Sequence, residues 1–302
     1  MVRQVIRRSV NGSAAKLGWP LLMLLALAPA AAARQARPFS GSLLYTPPQQ
    51  QSQQQSQQSE EEEDFIKPAR PTVATSAEIQ KAGVLQVEFG YDSNFRAEEF
   101  RTEQTLPLTL RFAASKRVLL EADLDVLKSE TDEAGVRMTG VGDTRLGFQV
   151  VALGETEEHP ALAFAYYVKL PSAGREKGLG TGRVDHRLVG LLSKKFGETD
   201  MDLNVAYLNV GREEGGRRAS GGQLALAFSR EFENDFGFEA ELSGQSLDDA
   251  QPRGVYALGA LTYKVNRRLR LDGGVRFGLN PEAPRVGVFA GMSVGVADFF
   301  KK

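Results

Sequence analysis

The sequence contains no cysteine and only two histidines, His159 and His186. Without cysteine the chain cannot form disulfides, thiolate metal sites, a cysteine nucleophile or a lipid-modified N-terminal cysteine. Two histidines leave little scope for a histidine-built metal centre. The formal net charge is only -1, so the sequence also lacks the basic excess that nucleic-acid binding requires. We therefore expect no cofactor, no metal site and no nucleic-acid partner.

Long hydrophobic runs are also missing, apart from one near the N-terminus. Basic residues without any acid come first, residues 17–30 form an apolar run, and three alanines precede Arg34. This order is typical of a secretory signal peptide. The alternative, a membrane-anchor helix, is disfavoured because the run falls short of the roughly 20 residues that span a bilayer, and Pro20 and Pro29 interrupt it. We assign residues 1–33 to a signal peptide.

Residues 34–82 have the composition of a linker. A run of Gln and Ser over residues 49–59 is followed by five acidic residues at 60–64. Such a stretch buries too little apolar surface to offset its chain entropy, so it favours disorder. A periplasmic tether or a plug for a pore is the functional alternative. We interpret residues 34–82 as a disordered, Gln/Glu-rich periplasmic linker.

From Gly83 onward the sequence alternates with a period of two. In the first run, for example, Leu85 and Val87 alternate with Gln86 and Glu88. This is the period of a β-strand. Similar runs recur to the C-terminus, although residues 184–194 and 254–264 do not declare which face is apolar. The pattern predicts about 12 strands of roughly 10 residues, the length that a tilted strand needs to cross a bilayer.

The connections between these runs alternate between short and long. Short turns are predicted at 114–117, 197–200, 231–235 and 266–268, and longer loops at 92–102, 128–139, 171–183 and 211–220. This asymmetry is typical of outer-membrane barrels. A soluble sandwich or a lipocalin-like barrel would also alternate, with its apolar face turned inward. The signal peptide, the missing cysteines, the even strand count and the loop alternation favour the membrane form.

We therefore predict an all-β fold, an antiparallel transmembrane β-barrel of about 12 strands over residues 83–302, in the outer membrane. Its apolar parity, which includes Leu120, Phe148 and Phe164, should face lipid. The expected partners are outer-membrane lipid, the barrel-assembly machinery during insertion, and a small-molecule solute. One feature departs from the usual pattern, because Lys301 and Lys302 follow Phe300, whereas such barrels usually end on an aromatic residue.

The sequence from about Ala82 to Phe300 carries a series of short motifs. In chain order they are Gly140-Val-Gly-Asp143-Thr-Arg-Leu-Gly147, Pro160-Ala-Leu-Ala163 leading to Lys169-Leu-Pro171, Gly178-Leu-Gly-Thr-Gly182 with Asp185, Leu203-Asn204 with Tyr207, and Leu271-Asp272-Gly273-Gly274 followed by Gly278-Leu279. In these motifs the chain resembles the outer-membrane family named after the meta-pathway of phenol degradation. The resemblance implies an outer-membrane transporter for small, often aromatic or hydrophobic compounds.

Charged residues of the opposite parity are the candidate lumen-lining positions. They are Glu88, Arg111, Glu121, Asp123, Asp125, Arg145, Lys169, Glu239, Glu241, Arg270, Asp272 and Arg276. Charges in a dry lumen must pair, whereas charges in a wet lumen can set ion or solute preference. The sequence leaves pairing and pathway lining equally open. The glycine-rich segment 178–182 is interpreted as an external loop, because no Lys-Ser/Thr and helix follow it as in a phosphate loop.

Three functions follow from these features. The first is passive passage of small, hydrophobic or aromatic solutes through an outer-membrane channel. The second is a closed structural or ligand-binding barrel. The third is a lipid or ester hydrolase, in which His186 with Ser193 or Asp185 is the candidate for activating a nucleophile. Because neighbours on a strand face opposite sides, Asp185 cannot orient His186 directly. We expect a channel without catalytic residues.

Overall fold

A computed structural model describes residues 65–97, 100–174, 179–211, 218–247 and 254–301. The predicted signal peptide and residues 34–64 of the predicted linker lie outside these ranges. No helix within the described ranges is long and apolar enough to span a membrane.

Thirteen β-strands form the described fold. They are β1 (Val84–Phe95), β2 (Thr102–Ser115), β3 (Val118–Thr131), β4 (Arg137–Gly140), β5 (Thr144–Leu153), β6 (Ala161–Leu170), β7 (Asp185–Phe196), β8 (Thr199–Val210), β9 (Ala219–Glu231), β10 (Phe236–Leu247), β11 (Gly254–Asn266), β12 (Leu269–Gly278) and β13 (Val286–Asp298). Each pairs antiparallel with its neighbours.

The sheet closes on itself. The strands follow one another around the sheet in chain order, β1 pairs with β13, and β2 pairs with β3, so the twelve longer strands form a closed ring. The short β4 pairs on one side only, with β3. The short β4 and the longer β5 both pair with β3, along successive stretches, and together they occupy one position in the wall. The predicted 12-stranded antiparallel barrel is therefore confirmed, with one extra short strand. The predicted loop 128–139 is shorter than expected, because β3 runs on to Thr131 and pairs there with β4.

The predicted short turns lie at one end of the barrel, although the β5–β6 connection at that end, residues 154–160, is as long as residues 279–285 at the opposite end. Two-residue turns link β2 to β3, β7 to β8 and β11 to β12, and residues 232–235 link β9 to β10. The connections at the opposite end include residues 171–184 and 279–285. The start of β1 and the end of β13 both lie at the short-turn end, because Val84 pairs with Asp298.

Side chains alternate between the two faces of the wall. On β6, Phe164 is 60% exposed on the outer surface, whereas its neighbour Ala165 is 1% exposed inside the barrel. Leu120 and Phe148 are likewise exposed, and each lies on the same outward parity. An apolar outer surface with a polar or small-residue interior is the arrangement of a barrel in lipid. The predicted orientation of the apolar parity is therefore confirmed.

The two ends of the barrel chain meet at Gly83. This glycine has a φ of 87°, and a Cβ atom there would lie 2.6 Å from the ring of Phe300. Its carbonyl accepts a hydrogen bond from the Phe299 amide at 2.8 Å. Phe299 and Phe300 both contact the ring of Phe112, with centroid separations of 5.8 and 6.5 Å. The aromatic pair thus packs on the wall, two residues before the C-terminus.

Candidate functional site in the barrel lumen

Residues 65–82, which we call the inner segment, run through the interior of the barrel. The segment hydrogen-bonds to β1 through Lys67 N and Gln86 (2.9 Å), to β10 through Val73 N and Glu241 (2.6 Å), to β8 through Thr75 N and Asn204 (2.9 Å), and to β5 through Ala77 O and Gln149 (3.0 Å). Because these strands lie on different sides of a closed ring, a segment that contacts all of them must pass through the lumen. This path corrects our interpretation of residues 65–82 as part of a solvated linker.

Arg70 is the principal charged anchor of the inner segment. Its guanidinium lies 3.3 Å from Asp272 and 3.8 Å from Asp92. The side chain fits a slot between Gly90 and Gly291, which face each other across β1 and β13. A Cβ atom at either glycine would lie 2.5 Å from Arg70. The slot therefore exists because neither strand carries a side chain at this level.

A second group of charges holds the segment beside Arg70. Glu88, 1% exposed, accepts hydrogen bonds from the amides of Ala69 (2.9 Å) and Arg70 (3.2 Å). Arg111, 2% exposed, ion-pairs with Glu88 at 3.5 Å and with Glu121 at 3.1 Å. Arg111 also donates to the carbonyl oxygen of Lys67. Burial makes each unpaired charge costly, and this network compensates three of them together.

Polar side chains hold the returning half of the segment. Glu241 accepts from the amides of Val73 (2.6 Å) and Ala74 (2.7 Å) through a single carboxylate oxygen. Ser193 accepts from the amide of Ala77 at 2.8 Å. A carboxylate that accepts two backbone N–H groups forms charge-assisted hydrogen bonds, which are stronger than neutral ones. Inner carboxylates therefore serve as hydrogen-bond acceptors for the backbone of the segment.

The other predicted lumen residues pair with each other or with neighbouring strands. Arg145 lies 2.8 Å from Asp123, Lys169 lies 3.1 Å from Asp143 and 2.6 Å from Asp185, Arg270 lies 3.2 Å from Glu239 and 3.1 Å from Glu231, and Arg276 lies 3.9 Å from Asp92. Asp125 faces the interior beside Arg145. The structure thus brings the predicted residues into several ion-paired groups on the inner wall.

The lumen contains a cavity near each end. One of about 1090 Å³ lies at the short-turn end and is lined by the inner segment and by the turns around Gly197, Phe232 and Arg267. The other, of about 520 Å³, lies towards the longer connections, and its lining includes Lys169 and Thr181. We call these the turn-side cavity and the loop-side cavity. They share no lining residue.

The residues considered for catalysis do not come together. The hydroxyl of Tyr166 and Nδ1 of His186 are 2.7 Å apart. Ser193 lies seven residues further along β7 on the opposite parity, and its hydroxyl donates to Asp202. Asp185 is bound by Lys169. Among the described residues no group of His, Asp or Glu side chains is positioned to hold a metal ion. Gly178 lies outside the described residues, so the glycine-rich segment is seen only from Leu179.

Sequence reasoning missed several inner residues. Gln86, Gln149 and Asn204 bind the inner segment, yet uncharged polar side chains on a strand carry no distinctive signal. Tyr167 shares the inward parity of Lys169 and could have been found by extending that parity. Arg187 lies in the run 184–194, in which the sequence does not show which face is apolar. The reason is physical, because both faces are apolar there: Leu188 is 53% exposed outside, whereas Val189 is 2% exposed inside.

Comparisons with known proteins place this barrel among outer-membrane folds. The chain is similar to the COG4313 outer membrane channel from Pseudomonas putida F1, with 14% identity, a TM-score of 0.56, and coverage of 76% of this chain and 99% of that one. It is also similar to the KdgM porin in complex with disordered oligogalacturonate, with 10% identity, a TM-score of 0.47, and coverage of 70% and 99%. The search of curated proteins finds no match. The sequence model of one family, described as the MetA-pathway of phenol degradation, matches residues 69–295. This match covers well over half of the chain and includes most of the inner segment, so the protein belongs to that family.

Proposed function

We propose that this protein is an outer-membrane channel for the passive passage of small apolar or aromatic solutes and that it works without a cofactor. The observation that carries the proposal is the lumen, which holds a cavity at each end of a closed barrel. The apolar outer surface matches a lipid environment. Insertion would use the barrel-assembly machinery, which reads aromatic residues near the C-terminus such as Phe300. The predicted signal peptide would direct the chain out of the cytoplasm.

The apolar character of part of the inner wall supports the solute class. Leu208 and Val210 of β8 and Leu247 of β10 line the loop-side cavity. Inward-facing apolar side chains in a barrel of this size offer a solute a surface that water solvates poorly. A wall of charges alone would favour ions and hydrophilic solutes. The combination therefore favours compounds with an apolar body.

The inner segment favours a second candidate, a closed barrel that binds a ligand or serves a structural role. Buried hydrogen bonds and ion pairs hold this segment across the lumen, between strands on different sides of the ring. In such a barrel a solute can pass only through space that the segment leaves open, or when the segment moves. Both candidates share the same architecture, and permeability distinguishes them.

The test is permeability of the purified full-length mature protein in liposomes. Swelling or uptake is measured with a neutral aromatic solute such as benzyl alcohol, with a hydrophilic solute of similar size, and with protein-free liposomes as the baseline for direct lipid permeation. The channel proposal expects protein-dependent flux of the aromatic solute. Absence of protein-dependent flux for every solute, in a protein that shows heat-modifiable migration, would favour the closed barrel. Hydrolysis of a fatty-acid ester, measured as release of the fatty acid and abolished by His186→Ala, would instead favour the hydrolase.

The loop-side cavity supplies the residues for a second arm of this test. Arg145 and Lys169 line it, so neutralising either should change ion selectivity or flux if solute passes there. Arg111, which we also expected to line a pathway, is bound to the inner segment and would report on that segment instead. Arg230 is a suitable control, because it lies on the outer parity at the short-turn end beside Glu198. The external Arg212 and Arg217 lie outside the described residues.

A further inference from the structure

Arg187 is an inward arginine of the loop-side cavity that has no ion-pair partner among the described residues. Within the described residues its guanidinium has no ion pair within 4.0 Å, and its Nε is buried without a hydrogen-bond partner. The other large cations of this cavity are paired, Arg145 with Asp123 and Lys169 with Asp143. A partly buried cation without a counter-ion retains an electrostatic attraction for an anion that enters the cavity.

An aromatic ring lies beside this cation. Tyr167 lies directly across from Arg187 on β6, and the Arg187 guanidinium carbon is 5.8 Å from the centre of the Tyr167 ring. The same ring lies over Gly147 of β5, where a Cβ atom would be 2.2 Å from Cδ1 of the tyrosine. Arg145 contacts the ring as well, at 5.1 Å. The ring therefore packs against the wall, and two guanidinium groups lie within cation–π distance of it at one end of the cavity.

The other side of Arg187 is apolar. Leu208 lies directly across from it on β8. Val210 and Leu247 line the same cavity and belong with Leu208 and Tyr167 to one buried apolar cluster. The cavity thus presents a cation without an ion-pair partner among the described residues next to an apolar surface, in a volume of about 520 Å³. A small solute with one anionic end and an apolar body satisfies both surfaces at once.

We propose that the loop-side cavity is a binding site for small apolar monocarboxylates, of which benzoate is the simplest aromatic example. The carboxylate lies against the Arg187 guanidinium, which can donate two parallel hydrogen bonds to it. The apolar body lies on Leu208, Val210 and Leu247. As an account of the solute that the channel takes, this inference rests on the proposed function, but binding can be measured without transport.

The experiment is calorimetric titration of the purified full-length mature protein in detergent with four probes. Benzoate carries both features, benzyl alcohol lacks the charge, acetate lacks the apolar body, and benzylamine reverses the charge. We expect benzoate to bind most tightly, with a dissociation constant that rises with salt concentration. Equal affinity for benzoate and benzyl alcohol, or tighter binding of acetate than of benzoate, would overturn the proposal. This comparison needs no variant, so it stands even if a substitution impairs folding.

Two variants localise the binding. Arg187→Gln should weaken benzoate binding on the order of tenfold or more, the usual effect of losing a charged hydrogen-bond partner, and should leave benzyl alcohol unchanged. Arg187→Lys should retain part of the affinity. Arg276→Gln is the matched control, because Arg276 faces the interior but does not line this cavity. Equal loss in both Gln variants would place the site elsewhere.

The same measurements separate failure of this inference from failure of the proposed function. Benzoate binding through Arg187 without protein-dependent flux in liposomes would support the binding site and contradict the channel proposal. Flux of neutral aromatic solutes without benzoate binding would retain the channel and remove the site.

Discussion

Arg70→Ala should release the inner segment from the barrel wall and raise the conductance of the protein. Arg70 is 14% exposed and faces Asp272, whose side chain is 3% exposed, at 3.3 Å. Removing one partner of a buried pair costs about 3–5 kcal/mol, because the other charge stays unpaired. The residual exposure of Arg70 and its flexible side chain place this pair below that range, at about 2–3 kcal/mol. The population of the released state should therefore rise roughly 30- to 150-fold.

The assay is single-channel recording in planar bilayers. Arg70→Ala should show larger or more frequent open events than the parent protein. Arg276→Ala is the matched control, since Arg276 shares Asp92 with Arg70 but makes no ion pair or hydrogen bond to the inner segment within the described residues. In the double variant Arg70→Ala with Asp272→Ala the unpaired carboxylate is gone, so open events should become less frequent than in Arg70→Ala alone. Unchanged conductance in a correctly assembled Arg70→Ala variant would refute the anchoring role.

Two further predictions concern the wall. Leu242→Arg should lower barrel stability by about 2–4 kcal/mol, because Leu242 is 57% exposed on the outer surface near the middle of β10. Gln245→Arg on the same strand should cost much less, because Gln245 points into the loop-side cavity. Denaturant unfolding in lipid measures both losses, and equal losses would contradict the assigned faces. Gly83→Ala should destabilise the barrel more than Gly197→Ala. Both glycines have a positive φ, but only at Gly83 would the new Cβ atom also clash with Phe300. Heat-modifiable migration at rising temperature ranks the stabilities of the two variants, and the reverse order would exclude the Phe300 contact.

The barrel wall was predictable because its signal is local. The alternation of Leu85 with Gln86, or of Phe164 with Ala165, indicates which face of a strand is apolar even when the neighbouring strands are unknown. Closure into a ring then follows from the edge that any open sheet leaves unpaired. Ala165 shows the limit of this reasoning. Its inward parity suggests that an arginine would be tolerated there, but it is 1% exposed in a packed apolar cluster, so the substitution would overfill the interior.

The path of residues 65–82 could not be predicted, because the contacts that carry it across the lumen join residues far apart in the sequence. Thr75 binds Asn204 and Val73 binds Glu241, across separations of 129 and 168 residues. The segment itself shows no periodicity, and its small and polar residues are also those of a solvated linker. Composition therefore predicts the behaviour of the isolated segment, which would be disordered. The hydrogen-bond acceptors that order the segment come together only when the barrel closes.

Substitutions of Glu241 can show whether this inner carboxylate anchors the segment, lines a solute pathway, or does both. One oxygen of Glu241 accepts from the amides of Val73 and Ala74 at 2.6 and 2.7 Å. Glu241→Gln removes the charge but retains an oxygen that can accept both bonds. Glu241→Ala removes the acceptor and leaves the buried amide of Ala74 and the partly buried amide of Val73 without it, at about 1–3 kcal/mol for a buried unsatisfied group. We therefore expect Glu241→Ala to open the channel more often than Glu241→Gln, as measured by single-channel recording. Ion selectivity, taken from reversal potentials in a salt gradient, should shift in Glu241→Gln only if ions pass this carboxylate. Equal opening in both variants would show that charge, and not hydrogen bonding, holds the segment at this point.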